Sequence, residues 1–458
     1  MLLAFLLAVS AADWVPSRWP SGDPASLDLL SATPVNCLLL ERKNWSSALS
    51  AKASERGVTV LGVLHPEGNE SQSIRTAKEQ GLRGIVFEGT FPDSVMKDAR
   101  QLAASLDLIS IELPSRRGIR FDGESKTLGT NQGVWPGIQP VDEKDAAHAM
   151  PSGGPWIDTN SGFLRYARAM HKGEFWLSVA PPAKQAIPID RYFGAIADAA
   201  MVGARWVVAL DDDLSARLFQ GDAAAVRDWK RIAKHLQFYE DHREVRALPA
   251  YGQLAVVQDA SNGALLSGGV LDMISVKHTP IRAVPGERLS LAELGKASMA
   301  VNVDPASLTQ EQKNVLVEFS RNGGTVLNGP AAWKMPAESK NQITVDKDDV
   351  EKLDAIWKEM NGLINRRNLG VRLFNVSSML SYLQASGDER RALLHLVNYS
   401  GFAVENVTAH VLGRYRKARI FTPEGKEKTV ETYDVEEGVA TGVDIDAVLS
   451  VALVVLEK

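Results

Sequence analysis

Apolar runs of strand length alternate with helical stretches through the first half of the chain. This alternation is typical of βαβ units on a parallel sheet. The predicted strands are residues 35–41, 58–65, 84–88, 108–113, 133–138, 156–158, 175–180 and 206–211. Eight strands with helices between them predict an α/β fold, the (β/α)8 or TIM-type barrel. A doubly wound open sheet is the alternative, without a dinucleotide site, because no Gly-x-Gly-x-x-Gly follows the first strand.

Two further domains are predicted after the barrel, which we place at residues 13–248. Residues 249–335 repeat the alternation on a smaller scale and predict a small three-layer α/β domain. Ser307 and Gln310 have the spacing of a capping box at the start of a helix in this domain. Residues 336–369 predict a charged linker helix. Short strand-like runs separated by turn residues predict an antiparallel β-sandwich over residues 370–458.

The first residues have the pattern of a signal peptide. Residues 2–9 are apolar, and Val9, Ser10 and Ala11 fit the small-x-small rule of a cleavage site. We therefore predict a signal peptide over residues 1–12 and export of the mature chain to the periplasm or the exterior. A buried strand or helix is the alternative, because no Lys or Arg precedes the apolar run.

Composition excludes several classes of function. The chain has 51 Lys and Arg against 56 Asp and Glu, and this net charge of −5 disfavours a dedicated nucleic-acid binder. The single cysteine, Cys37, excludes a disulfide framework and a cysteine-cluster zinc site. His-Glu-x-x-His, Gly-x-Ser-x-Gly and the Walker loop are absent from the sequence. No transmembrane segment, metal or cofactor is therefore expected.

Acidic residues close several of the predicted strands. In a barrel the active site lies at the carboxyl ends of the strands, so these carboxylates are candidates for acid–base chemistry or hard-metal binding. The structural alternative for each is a helix cap or a salt bridge. The residues concerned are Glu41, Glu88, Glu112, Asp158, Asp211, Asp212 and Asp213.

Aromatic and amide side chains lie in the same loops. Flat aromatic faces stack on sugar rings, and amides hydrogen-bond to sugar hydroxyls. Core packing is the alternative for the aromatic residues. The predicted substrate-binding residues are Glu41, His65, Asn131, Gln132, Trp135, Trp156 and Asn160.

The order of barrel, small α/β domain and β-sandwich resembles that of family 42-type β-galactosidases. The segment 393–399 also looks like the opening of the sandwich in glycosidase C-terminal domains. The resemblance implies a catalytic barrel and a middle domain of amidotransferase or flavodoxin-like fold that supports homo-oligomers. It also implies an Asn-Glu pair at the end of strand four and a Glu at the end of strand seven. By this count strand four ends at Glu112 without the Asn, and strand seven has no acid.

Barrel glycosidases of the α-galactosidase type place their carboxylates on strands four and six, and Glu112 and Asp158 fit that arrangement. We therefore predict a secreted glycoside hydrolase in which Glu112 and Asp158 are catalytic and Glu88 and Asp211 assist. An oligo- or polysaccharide is the expected partner. Two alternatives stay open. One is a catalytically inactive barrel that binds carbohydrate or serves in assembly. The other is a metal-dependent hydrolase that uses Glu88 and the acids at 211–213.

Overall fold

The computed structural model describes residues 11–123, 125–136, 159–258, 279–303, 305–329, 358, 362–364, 367–376, 378–435 and 438–458. The chain divides into two compact units. The first unit comprises residues 1–133, 171–186 and 204–237, and the second comprises 134–170, 187–203 and 238–458. Trp156, Asp158, residues 1–10 of the predicted signal segment and most of the predicted linker lie outside the described residues. Within the described part, no helix has the length and apolar character needed to cross a membrane.

The strands are β1 (Pro16–Arg18), β2 (Cys37–Leu40), β3 (Thr59–Leu64), β4 (Gly84–Glu88), β5 (Ile109–Leu113), β6 (Thr127–Thr130), β7 (Glu174–Leu177), β8 (Arg205–Trp206), β9 (Leu254–Gln258), β10 (Ile281–Pro285), β11 (Met299–Asn302), β12 (Thr325–Asn328), β13 (Val371–Phe374), β14 (Met379–Ala385), β15 (Arg391–Asn398), β16 (Val404–Leu412), β17 (Lys417–Phe421), β18 (Lys428–Val430), β19 (Thr432–Val435), β20 (Ala440–Val448) and β21 (Val451–Glu457). The α-helices are α1 (Ser47–Glu55), α2 (Glu70–Glu79), α3 (Asp93–Ser105), α4 (Ser161–Met170), α5 (Ile189–Met201), α6 (Asp212–Phe219), α7 (Ala223–Asp241), α8 (Arg243–Arg246), α9 (Leu291–Leu294) and α10 (Gln310–Arg321).

The first unit contains two parallel sheets. Strands β1 to β5 form one sheet in chain order, and β6 to β8 form the other. Ser17 of β1 also forms an isolated parallel bridge with Val208, just beyond β8. The backbone N–H of Asn131 donates to the carbonyl oxygen of Pro114 at 3.1 Å, which connects the ends of β5 and β6. The prediction of parallel α/β structure is confirmed, but among the described residues the eight strands form two sheets and not one continuous barrel.

Side chains from alternate positions on these strands form one buried cluster. Its members come from β2, β3, β4, β5 and β7 and from residues next to β1 and β8: Trp14, Cys37, Leu39, Leu61, Val63, Val86, Ile111, Leu113, Trp176 and Val207. Successive side chains of a strand point to opposite faces, so residues an even number of positions further along lie on the same face. This rule decides which strand-end residues face the same side as the core.

One of the eight predicted strands of this half is in the wrong place, and another, residues 156–158, lies outside the described residues. Residues 133–136 contain no strand, whereas β1 and β6 are strands that the sequence pattern does not indicate. Strand β6 reads Thr-Leu-Gly-Thr, which lacks an apolar run. Its Gly129 is required by close packing, because a Cβ there would collide with Leu113 and with the carbonyl of Trp176. Tertiary packing therefore makes this strand, and local propensity does not.

A four-stranded parallel sheet begins the C-terminal part of the second unit. Its strand order is β10-β9-β11-β12, and its core includes Ala255, Val257 and Ala300. Helix α10 has Thr309 as its N-cap, and Gln312 completes the capping box. The predicted box at Ser307 and Gln310 is therefore wrong by two residues. Both pairs have the same spacing of a hydroxyl residue and a glutamine three positions later.

Two antiparallel sheets close the chain, as the sequence predicts. Their strand orders are β13-β16-β20-β19 and β14-β15-β21-β17-β18. One buried cluster takes side chains from both sheets, for example Leu394 and Val454 from one and Val407 and Val443 from the other. We call these two sheets the C-terminal sheet pair. The strand-like runs of the sequence here are 392–398, 403–411, 418–421, 429–435 and 451–457. They miss β13, β14 and β20, and they join β18 and β19 into one strand.

Candidate active site

Five polar side chains of the first unit meet beyond the buried cluster, at or near the carboxyl ends of five parallel strands. We call this group the Arg18 cluster; it consists of Arg18, Glu41, His65, Glu88 and Ser178. Each member lies an even number of residues after a core side chain of its strand, for example Glu41 after Leu39 and Glu88 after Val86. Strand alternation therefore points all five to one face.

Arg18 is the centre of the cluster. Its Nη2 donates to both carboxylate oxygens of Glu88, at 2.5 and 2.6 Å, and its Nη1 donates to Oε1 of Glu41 at 3.2 Å. Its Nη2 and Nε also lie 3.0 and 3.3 Å from Oγ of Ser178. The guanidinium therefore stabilises the negative charge of two carboxylates at once and fixes the position of Glu88.

Glu41 and His65 form a second pair in the cluster. Nε2 of His65 lies 3.1 Å from Oε2 of Glu41. The hydrogen bond to Glu41 is the largest influence on His65 and raises its pKa above the ordinary value, with help from the charges of Glu41 and Glu88 and against burial. Burial raises the pKa of Glu41, but the hydrogen bond and charge of His65 and the charges of Arg18 and Lys43 outweigh it, so the pKa is lowered.

The cluster is buried at one side and open at the other. The side chains of Arg18 and Glu88 are 18% and 10% exposed, whereas those of Glu41 and His65 are 39% and 43% exposed. Glu88 is thus a positioned carboxylate in a mostly dry setting, and His65 is a proton carrier that solvent or a ligand can reach. A carboxylate whose charge is stabilised and an imidazole whose pKa is raised by a neighbouring carboxylate can supply a nucleophile and an acid.

The same residues are a donor set for a divalent cation. One ligand atom each from Glu41, His65 and Glu88 lies within 4.8 Å of the other two. The guanidinium of Arg18 already binds both carboxylates, so a cation there would have to displace a positive charge or share the site with it. This arrangement disfavours the metal-dependent alternative.

Glu112 lies on the opposite face of its strand from the Arg18 cluster. Ile111 and Leu113 of β5 point into the buried core, so Glu112 between them points outward, towards α3. There Nε and Nη2 of Arg100 donate to its two carboxylate oxygens at 2.5 and 2.7 Å. Both side chains line a cavity of about 280 Å³ together with Phe91 and other residues. The structure therefore does not bring Glu112 together with Glu88.

Asp211 is the N-cap of helix α6. Its Oδ1 accepts hydrogen bonds from the backbone N–H groups of Asp213 and Leu214 at 3.1 and 3.0 Å. Asp213 forms an ion pair with Arg217 at 2.9 Å. These contacts are those of the structural alternatives, a helix cap for Asp211 and a salt bridge for Asp213.

The predicted amide residues of the first unit serve the backbone. Oε1 of Gln132 accepts from the backbone N–H of Arg116 at 2.8 Å, and its carbonyl oxygen accepts from Nε of Arg116 at 3.0 Å. Gln132 is 2% exposed. Asn131 is half-buried, and its backbone N–H bonds to Pro114 as described above. Saccharide binding by either residue stays a prediction.

Trp135 and Asn160 belong to the second unit, and both are buried. The ring of Trp135 packs edge-on against Tyr192, with ring centroids 5.2 Å apart. Asn160 binds the backbone of Val134 through Oδ1 and Nδ2, each at 2.8 Å. Asp198 lies beside it in a network that we call the Asp198 network. A saccharide-binding role for Trp135 and Asn160 likewise stays a prediction.

The Asp198 network consists of Asp198, Asn160 and Tyr399. Oδ2 of Asp198 accepts from the backbone N–H and from Nδ2 of Asn160, both at 2.8 Å. Its Oδ1 accepts from the hydroxyl of Tyr399 at 2.9 Å. Burial raises the pKa of Asp198, against the opposing effects of Asn160, Tyr399 and the charge of Arg165. The network connects α5 and the residues before α4 to the C-terminal sheet pair.

Sequence reasoning missed Arg18 and Ser178. Arg18 lies on β1, which carries no apolar run, and Ser178 follows Trp176 of β7 by two positions. The available signal was strand parity. Trp14, Pro16 and Arg18 occupy alternate positions and so share one face, as do Trp176 and Ser178. Reading a predicted strand for residues in phase with its core positions would have included Ser178, whereas β1 has no apolar run from which to read the phase of Arg18.

No protein-family model matches the sequence, and no curated protein matches it at a significant level. Solved structures do match. An α-L-fucosidase, isoenzyme 2, from Paenibacillus thiaminolyticus aligns with 97% of this chain and 100% of its own, at 10% identity and a TM-score of 0.62. A rhamnosidase from Novosphingobium sp. PP1Y covers 91% of this chain and 38% of its own, at 11% identity and a TM-score of 0.35.

A cycloisomaltooligosaccharide glucanotransferase from Paenibacillus sp. covers 97% of this chain and 85% of its own, at 7% identity and a TM-score of 0.28. The TM-scores of the rhamnosidase and the glucanotransferase are too low to indicate a shared fold. The likeness to the fucosidase extends over nearly the whole of both chains. The chain therefore has an architecture similar to that of a glycoside hydrolase.

Proposed function

We propose that the protein is an exported glycoside hydrolase that cleaves a glycosidic bond at the Arg18 cluster. The observation that carries this proposal is the meeting of Glu41, His65 and Glu88, with ligand atoms within 4.8 Å, at the carboxyl ends of parallel strands. Parallel α/β folds place their sites at this edge. The fold likeness to an α-L-fucosidase supports a saccharide as the substrate.

The proposal includes one (β/α)8 barrel as the frame of the cluster. The parallel bridge between Ser17 and Val208 would close β1 onto β8, and the hydrogen bond from Asn131 to Pro114 would join β5 to β6. Both contacts support a ring of eight strands in chain order. A ring would place all the strand ends around one opening, with Arg18 and Glu88 on its wall.

Glu88 is the proposed nucleophile. Its carboxylate attacks the anomeric carbon as the bond from that carbon to the leaving oxygen breaks, which gives a glycosyl ester of Glu88. Arg18 holds the carboxylate in place and stabilises its charge, and the lone pairs that Arg18 does not use remain for the attack. The distance of at most 4.8 Å to Glu41 and His65 is close to the roughly 5–5.5 Å between the groups of retaining enzymes.

The pair of His65 and Glu41 is the proposed general acid. The proton on Nδ1 of His65 passes to the leaving oxygen, while Nε2 keeps its hydrogen bond to Glu41, whose charge stabilises the imidazolium before the transfer. The neutral imidazole then takes a proton from water, whose oxygen attacks the ester and releases Glu88. The configuration at the anomeric carbon is retained, because two displacements occur.

The strand count supports Glu88 over Glu112. Since β1 precedes the strands that the sequence indicates, the fourth strand of the structure ends at Glu88, and Glu112 ends the fifth. The resemblance to family 42-type enzymes implies an acid at the end of strand four, which then corresponds to Glu88. The Asn that precedes that acid in the family is Phe87 here, so the roles of the two carboxylates differ from the family pattern.

A catalytically silent saccharide-binding protein is the second candidate. Arg18 binds both carboxylates of the cluster, and such pairing is also found where acids serve structure alone. Glu112 and Asp211 are likewise occupied by Arg100 and by a helix N-terminus.

Hydrolysis of a panel of aryl glycosides, including aryl α-L-fucosides, tests the proposal. The wild type is compared with Glu88→Gln and with the matched control Glu112→Gln, which makes the same change on the other face of the neighbouring strand. We expect activity in the wild type and the control and its loss in Glu88→Gln. A product of retained configuration, seen by NMR early in the reaction, would support the double displacement.

Three results would count against a glycoside hydrolase with its active site at the Arg18 cluster. Equal activity of Glu88→Gln and wild type would remove Glu88 from the mechanism, and loss in Glu112→Gln alone would favour the other face of the sheet. Saccharide binding without turnover of any substrate would establish the silent alternative. Asp158→Asn belongs in the same series, because this residue lies outside the described part of the chain.

A further inference from the structure

The C-terminal sheet pair has a cavity of about 1020 Å³ at one end. Its lining comes from the turn before β15, the connection between β16 and β17, strand β19 and the residue after β21. Cationic and tyrosine side chains dominate this lining. The residues are Arg390, Arg414, Tyr415, Arg416, Thr432, Tyr433, Asp434 and Lys458.

The positive charges of this cavity are poorly compensated. Arg414 donates from Nε to the carbonyl oxygen of Gly438 at 2.6 Å, a contact that leaves its charge in place. Arg390 and Arg416 form no side-chain ion pair within 4.0 Å with any residue that the structure describes, although the charge of Arg390 contributes to lowering the pKa of Asp388. By contrast, Arg391 and Arg419 on the same sheets both pair with Glu457. Asp434 is the acidic residue of the lining.

Cations gathered without partners raise the free energy of the folded chain through repulsion, and an anionic ligand relieves it. Guanidinium groups bind carboxylate and sulfate in bidentate geometry, and three arginines lie around this one cavity. The chain as a whole has a net charge of −5, so the positive charge is local and not a general property of the surface.

Tyr433 adds a flat apolar face to the cavity. Its residue is 42% exposed, and its hydroxyl donates to Oδ1 of Asp444 at 3.1 Å, which fixes the ring. A fixed aromatic ring binds a sugar face at a low cost in side-chain entropy. Tyr415, by contrast, is buried in the core of the sheet pair, and its backbone N–H donates to Oγ1 of Thr441 at 2.9 Å.

We propose that this cavity binds an anionic saccharide, a chain of sugar rings that carry carboxylate or sulfate groups. The arginines take the anionic groups, and Tyr433 takes a ring face. A nucleic acid fits less well, because the basic residues surround a compact cavity and form no extended stripe. The choice of a saccharide rests on the proposed function, whereas binding itself does not require hydrolysis.

Titration calorimetry of the full chain tests the proposal with polygalacturonate and chondroitin sulfate as probes and neutral dextran as the reference. In the variant Arg390→Gln/Arg416→Gln we expect the dissociation constant for an anionic probe to rise by about tenfold or more, because two charge-assisted contacts are lost. The matched control Lys417→Gln/Lys426→Gln removes two exposed charges outside the lining, and we expect a change of less than about twofold. Equal urea midpoints show that both variants fold.

The proposal is overturned if neither anionic probe binds, if dextran binds equally well, or if both double variants weaken binding to the same extent. Tighter binding of a DNA duplex or of vesicles with anionic lipid would also overturn it in favour of those partners. Failure of the hydrolase proposal is separate, since Glu88→Gln should keep the affinity for the anionic probes. Arg390→Gln/Arg416→Gln should in turn keep the hydrolysis of small aryl glycosides.

Discussion

The Arg18 cluster and the Asp198 network both hold carboxylates by hydrogen bonds, but they are exposed to solvent to different degrees. Asp198 and Asn160 are both 0% exposed, and both oxygens of the Asp198 carboxylate accept hydrogen bonds. Glu41 and His65 have side chains that are 39% and 43% exposed. A network whose acceptors are all in use and which solvent cannot reach serves the fold. A cluster with lone pairs open to a ligand can perform chemistry.

The pKa directions follow the same division. Burial dominates at Asp198 and raises its pKa, although Asn160 and Tyr399 oppose it. At Glu41 the bond and charge of His65 and the charge of Arg18 outweigh burial, and the pKa falls. Burial therefore disfavours the charged form of Asp198 although hydrogen bonds hold the group in place. Neighbouring positive charge instead favours the charged form of Glu41.

The same carboxylate-to-amide change made in both regions should separate chemistry from structure. Glu88→Gln removes the nucleophile, and we expect kcat/KM to fall about 10³-fold or more, which corresponds to about 4 kcal/mol in the barrier. Asp198→Asn preserves shape and can satisfy Asn160 and Tyr399, so we expect activity within about threefold of wild type. Aryl glycoside kinetics on both variants measure the contrast. Equal losses of kcat/KM in the two variants would show that the Arg18 cluster and the Asp198 network do not differ in their contribution to catalysis.

Asp198→Ala should be the most destabilising change in the network. It leaves the amide groups of Asn160 and the hydroxyl of Tyr399 without an acceptor inside the protein, at a cost of about 3 kcal/mol or more. Asp198→Asn is the control, with an expected loss of about 1 kcal/mol or less. The midpoint of urea unfolding reports both values. A midpoint for Asp198→Ala at the wild-type position would show that the network contributes nothing to stability.

His65→Gln should lower activity and remove one limb of its pH profile. The pKa of His65 lies above its ordinary value. Activity of the wild type therefore falls as pH rises through this raised pKa, because the acid loses its proton. We expect kcat/KM of the variant to be lower by about 10²-fold or more, with no alkaline limb from this group. The pH dependence of kcat/KM is the measurement. An unchanged alkaline limb would assign the acid to another residue.

His395 of β15 gives the C-terminal sheet pair its own pH dependence. Burial lowers the pKa of His395 well below its ordinary value, and its Nε2 lies 3.0 Å from the hydroxyl of Tyr239. Below about pH 6.5 the unfolded chain binds a proton that the folded chain does not, so stability falls with decreasing pH by up to about 1.4 kcal/mol per unit. Well above about pH 6.5 His395 is neutral in both the folded and the unfolded chain, so its titration no longer changes the free energy of unfolding.

His395→Gln is the test, because glutamine is polar but does not titrate between pH 5 and 7. The free energy of unfolding of the variant should depend less steeply on pH than that of the wild type in this range. His235→Gln, which changes a buried histidine of α7 in the same way, is the comparison variant. Identical slopes for wild type and His395→Gln would show that His395 keeps its proton affinity in the folded chain.

Strand prediction succeeded where burial produces a long apolar run. Strands β4 and β21 have the bounds that the sequence indicates. Strand β14 is buried throughout, but it contains Ser381, Tyr382 and Gln384 and therefore lacks the pattern. Nε2 of Gln384 donates to the carbonyl oxygen of Arg246 at 2.8 Å, a partner 138 residues away. Such long-range compensation cannot be seen in a local window.

The candidate site was predicted in part for a related reason. The rule that acids at strand ends are functional selects Glu41 and Glu88, which the structure places together, but it also selects Glu112. Strand phase, read from Ile111 and Leu113, separates Glu112 from the other two. Arg18 could not be found in this way, because β1 has only three residues and contains no apolar run that would predict a strand. Its partners are Glu41 on β2 and Glu88 on β4, and only the fold brings them near.

Glu112→Gln should have the smallest effect of the series, although its ion pair is as short as that of Glu88. The side chains of Glu112 and Arg100 are 30% and 40% exposed, so solvent screens the pair and its contribution is at most about 1 kcal/mol. We expect a small shift of the urea midpoint and activity within about threefold of wild type. Addition of 0.5 M NaCl to the wild type should remove most of this contribution, because screening weakens exposed pairs more than buried ones. A loss of activity in Glu112→Gln at an unchanged midpoint would mean that the cavity beside Arg100 takes part in catalysis, and the contrast between the two faces of the sheet would fail.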